Sequence, residues 1–292
     1  MMQVQNISKI LGKQKVLNDI TFTVQKGTIT GIVGRNGAGK TTLLKTMVTI
    51  VDPDDGTVFV NNRNVFKDPS AKESILYVAD SIEALKNYST ANIVSLYSDI
   101  YPNFDQDYFQ ELMHRFNMPG AKKIKHYSKG RKALFALILA FAAKPDYVLL
   151  DEPTDGLDVI VKKEIMRFML DEVAKGDLSI IIATHRLDEL ETLADQILVI
   201  KQGEITETFQ LDDLREKYKK WQVVYREQMP ESLTEKLHIL QQSGRVYTCL
   251  AEGDLVSLEN DLKETTPLLY EELPLNLEDL FVAKLGGEYI AN

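Results

Sequence analysis

Alternation comes first along the chain. Ile20, Phe22 and Val24 alternate with polar residues, the period of a strand with one buried face. Residues 1–62 read mainly as strands. Within them, residues 28–33 form a short apolar strand that runs into glycines. Residues 57–60 form another, after the turn Asp54-Asp55-Gly56. Between these two, residues 42–50 are apolar at helical spacing. Residues 75–79 predict a further strand. Residues 84–126 read as helical, with polar breaks at Tyr101-Pro102-Asn103 and Pro119-Gly120. Residues 129–143 predict a helix that Lys144-Pro145 ends. Residues 147–150 and 179–183 are nearly all apolar, as central parallel strands buried on both faces are. Residues 159–174 predict the helix between them. Strand and helix alternate, which is the α/β signature.

Near Leu211 the character changes. Residues 211–221 are a highly charged helix or linker. Beyond it, short strands over 222–226, 245–250 and 267–271 alternate with helices over 232–242, 255–263 and 277–285. The pattern divides the chain into a large domain over 1–210 and a small α/β appendage over 211–292. The large domain includes a helical part over about 84–143. The appendage carries no phosphate or metal motif.

Composition narrows the class. At 292 residues, 44% hydrophobic and 26% charged, the chain can bury a sizeable core as a soluble globular protein. A net charge of −9 argues against broad nucleic-acid binding, which wants a basic surface. Cys249 is the single cysteine, so no internal disulfide forms and a reducing compartment fits. The N-terminus has no apolar signal core. The longest nearly charge-free apolar run, 133–143, is about half of a membrane span. The chain is expected not to cross a membrane by itself, though it can dock onto a partner that does.

Gly34-Arg35-Asn36-Gly37-Ala38-Gly39-Lys40-Thr41 fits G-x-x-x-x-G-K-[ST], between a predicted strand and a predicted helix. Glycines let successive backbone N–H groups turn inward as an anion nest. The following helix points its positive end at the phosphates. Lys40 reaches the β and γ phosphates, and the Thr41 hydroxyl ligates Mg²⁺. Thr42, next in the helix, is counted with the nucleotide-binding residues.

The strand at 147–150 ends in Asp151-Glu152, at the sheet edge where open α/β folds bind ligands. Asp151 can hold Mg²⁺ there, directly or through water. Glu152 can orient or deprotonate an attacking water. His185 ends the next apolar strand, either as a γ-phosphate contact or as a surface residue. Ser128 is a good N-cap for the helix that follows. Yet Lys129, Arg131 and Lys132 crowd its first turn, and Lys122, Lys123 and Lys125 precede it. Cations there oppose the helix dipole. Either an anion is expected at this point or the cations are a solvated face paired elsewhere.

In this order the motifs resemble the nucleotide-binding cassette of ABC transporters. The phosphate loop comes first, then Tyr127-Ser128-Lys129-Gly130-Arg131 in the signature position, Asp151-Glu152, Asp155-Gly156-Leu157-Asp158 as the D-loop, and His185 as the switch histidine. The resemblance covers about residues 2–210. It implies a P-loop NTPase fold, with a RecA-like core and antiparallel β and α-helical subdomains. It also implies ATP with Mg²⁺, and hydrolysis through Glu152 and His185. In that family two cassettes dimerise head to tail, with ATP between the phosphate loop of one and the signature helix of the other. Ser128, Lys129, Gly130 and Asp158 would then meet the partner's ATP, the anion for the cationic helix start. Hydrolysis separates the dimer and moves membrane subunits, which implies a cytoplasmic chain peripheral to the inner face of the cell membrane.

The sequence departs from the family pattern in three places. Tyr127, Lys129 and Arg131 replace the usual signature residues. Asp80 stands where Gln is usual and can ligate Mg²⁺. Leu11 replaces the aromatic that stacks on adenine, so adenine is expected to pack on Leu11 and Val16. The C-terminal part, ending Pro274-Leu-Asn-Leu-Glu-Asp-Leu-Phe281, looks like bacterial ABC-2 type exporters. That group includes bacitracin-resistance-like, lantibiotic-immunity and amphipathic-peptide exporters, which pair with a separate multi-span permease. An exporter ATPase for a peptide or antimicrobial is the leading expectation. The alternatives are a soluble ABC ATPase acting on nucleic acid or ribosomes and a regulatory cassette of a heterodimeric transporter. Proteins of the first kind carry two cassettes in one chain or a very long coiled-coil insertion, and neither is present in this sequence. Asp80 and Lys129 lean towards the second, and Glu152 leans against it. The appendage is either a packing and dimerisation element or a regulatory sensor.

Overall fold

The structure, a computed structural model, describes residues 1–80 and 83–285. It opens with the hairpin β1 (Met2–Leu11) and β2 (Gln14–Val24), then β3 (Ile29–Val33), α1 (Lys40–Met47), β4 (Asp55–Val60) and the short β5 (Arg63–Asn64). Next come β6 (Ile75–Val78) and the helical segment α2 (Thr90–Ile100), α3 (Gln106–Arg115) and α4 (Lys129–Ala142). They are followed by β7 (Tyr147–Asp151), α5 (Val159–Val173), β8 (Ser179–Thr184), α6 (Leu187–Leu193), β9 (Gln196–Lys201) and β10 (Glu204–Gln210). The last stretch holds α7 (Leu211–Lys217), β11 (Tyr218–Val224), α8 (Glu231–Thr234), β12 (His238–Ser243), β13 (Val246–Glu252), α9 (Leu255–Glu264), β14 (Leu269–Leu273) and α10 (Leu277–Leu285). Two compact units result, residues 1–186 with 193–208, and residues 187–192 with 209–292.

In the first unit the strand order β10-β9-β3-β8-β7-β6 forms one sheet, and β2-β1-β4-β5 another. β3, β7 and β8 are buried at every position, which is why their sequences do not alternate. The pairs β3–β8, β3–β9, β6–β7 and β7–β8 are parallel, with Val33 opposite Thr184, Asp151 opposite Ala183 and Val78 opposite Leu150. This register brings the carboxyl ends of β3, β6, β7 and β8 out at one edge. β9 turns back into β10 through Gln202 and Gly203, both at positive φ, the two-residue turn that suits twisted strands. In the helical segment, Ser89 caps α2 through the Asn92 N–H, and Asp105 caps α3 through the Tyr108 N–H. Among the described residues, no helix is long and apolar enough to cross a membrane.

The second unit holds the antiparallel sheet β12-β13-β11-β14, with a core that includes Trp221, Val223, Leu233, Leu237, Cys249 and Leu262. Two expectations fail here. The helix predicted over 232–242 stops at Thr234, and His238–Ser243 pairs with β13 as a strand. Leu233 and Leu237 have helical spacing and both are buried, but backbone pairing across the turn at Gly244 decides the segment. The charged segment 211–221 is a helix only to Lys217. Tyr218 opens a strand whose Trp221 and Val223 enter the core.

Trp221 is the single tryptophan and is fully buried, so its fluorescence reports unfolding of this unit. Leu262→Ala removes a fully buried side chain from the same core and is expected to destabilise the unit by about 2–5 kcal/mol. The urea midpoint of the Trp221 signal should fall accordingly. A midpoint equal to wild type would contradict this packing.

Candidate functional site

The phosphate loop leaves the end of β3 and enters α1. Gly39 caps α1 at φ 110, a backbone that side chains rarely adopt. A Cβ there would also lie 2.8 Å from the Val16 carbonyl oxygen, so only glycine fits. The Ala38 N–H donates to the Arg35 carbonyl at 3.0 Å, closing the turn. Lys40 is buried, and its ammonium donates to the Gly34 carbonyl at 2.7 Å and to that of Arg35 at 3.5 Å. Burial pushes this ammonium below the usual lysine value, against the pull of Glu152 and Asp151. Around the loop lies a cavity of about 260 Å³, whose walls include Val16, Arg35, Asn36, Gly37, Thr42 and Glu152. Gly39, Lys40 and Thr41 also line it. Ala38 is buried and Leu11 stands exposed at the end of β1; neither is among the wall residues.

Asp151, at the end of β7, is 3% exposed. Its Oδ1 accepts from the Thr41 hydroxyl at 3.0 Å, and its Oδ2 accepts from the Tyr77 hydroxyl at 3.0 Å. Burial raises this carboxyl above the usual value. The two hydroxyl donors oppose the rise, and Asp80 and Glu152 add to it. Tyr77 was not among the sequence candidates, because no motif marks it. It is the aromatic of β6, the strand beside β7. Burial first, then the neighbouring Asp151, drives its phenol far above the ordinary tyrosine value, so it stays a donor.

Glu152 follows at φ 47, in the left-handed region. Its N–H donates to the Ala183 carbonyl at 2.9 Å, which holds the turn. Both carboxylate oxygens lie 3.1 Å from Nδ1 of His185, and Oε1 lies 3.7 Å from Nζ of Lys40. Thus the structure brings Lys40, Thr41, Asp151, Glu152 and His185 into one cluster.

The signature region sits beside it. Ser128 caps α4 by accepting from the Arg131 N–H at 3.3 Å. Tyr127 is buried edge-on against Phe135, and its hydroxyl donates to the Pro119 carbonyl. Lys129 pairs with Asp155 at 3.4 Å, and Lys132 with Glu83 at 3.4 Å. A Cβ on Gly130 would lie 2.9 Å from Cγ1 of Val161, so α4 and α5 meet there with no room to spare. Asp158 caps α5 by accepting from the N–H groups of Ile160 and Val161. Ser128 and Asp158 therefore each cap the start of a helix in this chain. A second cavity, about 450 Å³, is walled by Asp80, Glu83, Lys129, Lys132, Glu152 and Asp155, among others. Asp80 is exposed and lines this cavity, not the phosphate-loop one.

A divalent cation fits the donors present. Among the described residues no group of three or more His, Cys, Asp or Glu is placed to hold a metal. One hydroxyl and one carboxylate suit Mg²⁺, which keeps waters and shares substrate phosphates instead of filling a protein cage.

Known proteins resemble this chain in sequence and in fold. The ABC transporter family model matches residues 17–155. The chain is 36% identical over 289 residues to the ABC transporter ATP-binding protein YtrB of Bacillus subtilis, covering 99% of both chains. It is 30% identical over 304 residues to the bacitracin transport ATP-binding protein BcrA of Enterococcus faecalis, covering 99% of this chain and 97% of that one. A solved ATP-binding subunit of an ABC transporter superposes with a TM-score of 0.67 at 25% identity, covering 74% of this chain and 92% of that one. Similarity of this extent carries past the nucleotide core into the C-terminal unit, and the chain belongs to the family of ABC transporter ATP-binding subunits.

Proposed function

We propose that this ATPase hydrolyses ATP at the cluster around Glu152 and drives export of a peptide or similar amphipathic antimicrobial through a separate multi-span permease. The placement of Glu152 carries the catalytic part: its carboxylate lies 3.1 Å from His185 and 3.7 Å from Lys40. Water attacks the γ phosphorus, the bond to the β-phosphate oxygen breaks, and ADP and phosphate leave. Glu152 orients that water or takes its proton, and His185 holds Glu152 and contacts the γ phosphate. Lys40, freed from the Gly34 carbonyl, meets the β and γ phosphates. Thr41 and Asp151 would hold Mg²⁺, which neutralises developing charge on the phosphates. Asp80, two residues past the end of β6, is a third oxygen donor in this reading. Adenine packs on Val16, with Leu11 closing over it from the β1 hairpin.

The second cassette is a further copy or a homologue, docked head to tail. Ser128, Lys129, Gly130 and Asp158 then face the partner's nucleotide. Val159 and Ile160, 67% and 79% exposed beside Asp158, supply apolar surface for that contact. The exporter reading is supported by the bacitracin transport relative, which matches over nearly its whole length. In this reading the complex works at the inner face of the cell membrane, and the C-terminal unit is a packing and dimerisation element.

Glu152→Gln should lower the rate of phosphate release by about 10²–10⁴-fold while ATP still binds. Hydrolysis at the wild-type rate would remove Glu152 from the chemistry. Ser128→Arg should block ATP-driven dimerisation, read by light scattering, with nucleotide binding to the monomer nearly intact. A dimer that forms unchanged would overturn the trans role of the signature helix.

A further inference from the structure

Asp151 is a buried carboxylate whose two oxygens each accept one side-chain hydrogen bond. Thr41 and Asp151 already belong to the proposed cation site. Tyr77 does not, and it comes from a different strand. The register places Tyr77 opposite Leu149 and Val78 opposite Leu150, so the end of β6 runs beside the end of β7. The Tyr77 ring packs against the core of the first unit, a place that phenylalanine would fill equally well. Packing therefore accounts for the ring and leaves the hydroxyl unexplained. That hydroxyl lies 3.0 Å from Oδ2 of Asp151, an oxygen otherwise turned into a poorly solvated site. Held there, the carboxylate cannot rotate about its last bond, and Oδ1 stays at the Thr41 hydroxyl. Partners of this kind orient a ligand and set its strength without touching the metal.

We infer that Tyr77 is a positioning residue for the divalent cation, its hydroxyl fixing the Asp151 carboxylate towards Thr41. The inference rests on the reading of Asp151 as a cation ligand. Cation binding should then depend on Tyr77, while metal-free nucleotide binding should not, because the phosphate loop makes no hydrogen bond to it among those described.

The test uses the full-length protein, Mn²⁺ as probe and a fluorescent non-hydrolysable ATP analogue. Analogue affinity is measured in EDTA and then along a Mn²⁺ titration, with bound Mn²⁺ followed by electron paramagnetic resonance. Wild type, Tyr77→Phe and Asp151→Asn are compared. For Tyr77→Phe, the expected result is an EDTA affinity within about twofold of wild type and a Mn²⁺ affinity about tenfold weaker, the lower end of such outer partners. Asp151→Asn should weaken Mn²⁺ at least as much. If only Asp151→Asn weakens it, the role given to Tyr77 is wrong and that of Asp151 stands. If neither does, Asp151 is not the ligand and the inference falls with it. A Tyr77→Phe protein that loses EDTA and Mn²⁺ affinity by the same factor would make the hydroxyl a general structural support, which also overturns the proposal.

Discussion

A carboxylate taken out of water needs donors, and at Asp151 this requirement organises the whole edge of the sheet. The residue ends a strand buried at every position, and it is 3% exposed itself. Its donors arrive from two other elements, Thr41 from the first turn of α1 and Tyr77 from β6. Satisfying one charge thereby ties α1, β6 and β7 together at their functional ends. The phosphate loop is stretched between β3 and that anchored helix, and Glu152 is the next residue along. His185 follows β8, and parallel register sets the end of that strand beside the end of β7. The proposed chemistry is thus local to a few residues, but their mutual placement is a property of the sheet.

That division explains what could be read in the chain. Residues 34–41 were legible because an anion nest needs glycines and a lysine at fixed spacing. Asp151-Glu152 and His185 were legible because each follows a short, nearly all-apolar run. Tyr77 was not, since its role exists only through the neighbour that pairing supplies. Gly130 and Asp158 were legible as motif positions, but the contacts they make in this chain are different in kind. One leaves room for Val161, and the other caps α5. In the second unit, Leu233 and Leu237 carry a helical period into a segment that becomes a strand. Local spacing cannot report that Val246–Glu252 lies waiting as a partner.

The two units differ in how they are held. The first relies on a large apolar core beneath the parallel strands. The second has a smaller core around Trp221, bordered by polar contacts such as Lys220 with Asp279 at 2.8 Å and Lys284 with Glu252 at 2.6 Å. Partly exposed pairs of this type contribute little stability on average, so its apolar centre does most of the holding.

Glu152 stands in a left-handed backbone conformation. For a residue with a Cβ this costs roughly 1–2 kcal/mol. Glycine, and to a lesser degree asparagine, would relieve it. At this one position, then, the residue the backbone favours is not the residue the proposed chemistry needs. The Glu152 side chain is held by His185 and Lys40, so the backbone strain sits at a residue already tied into the candidate site.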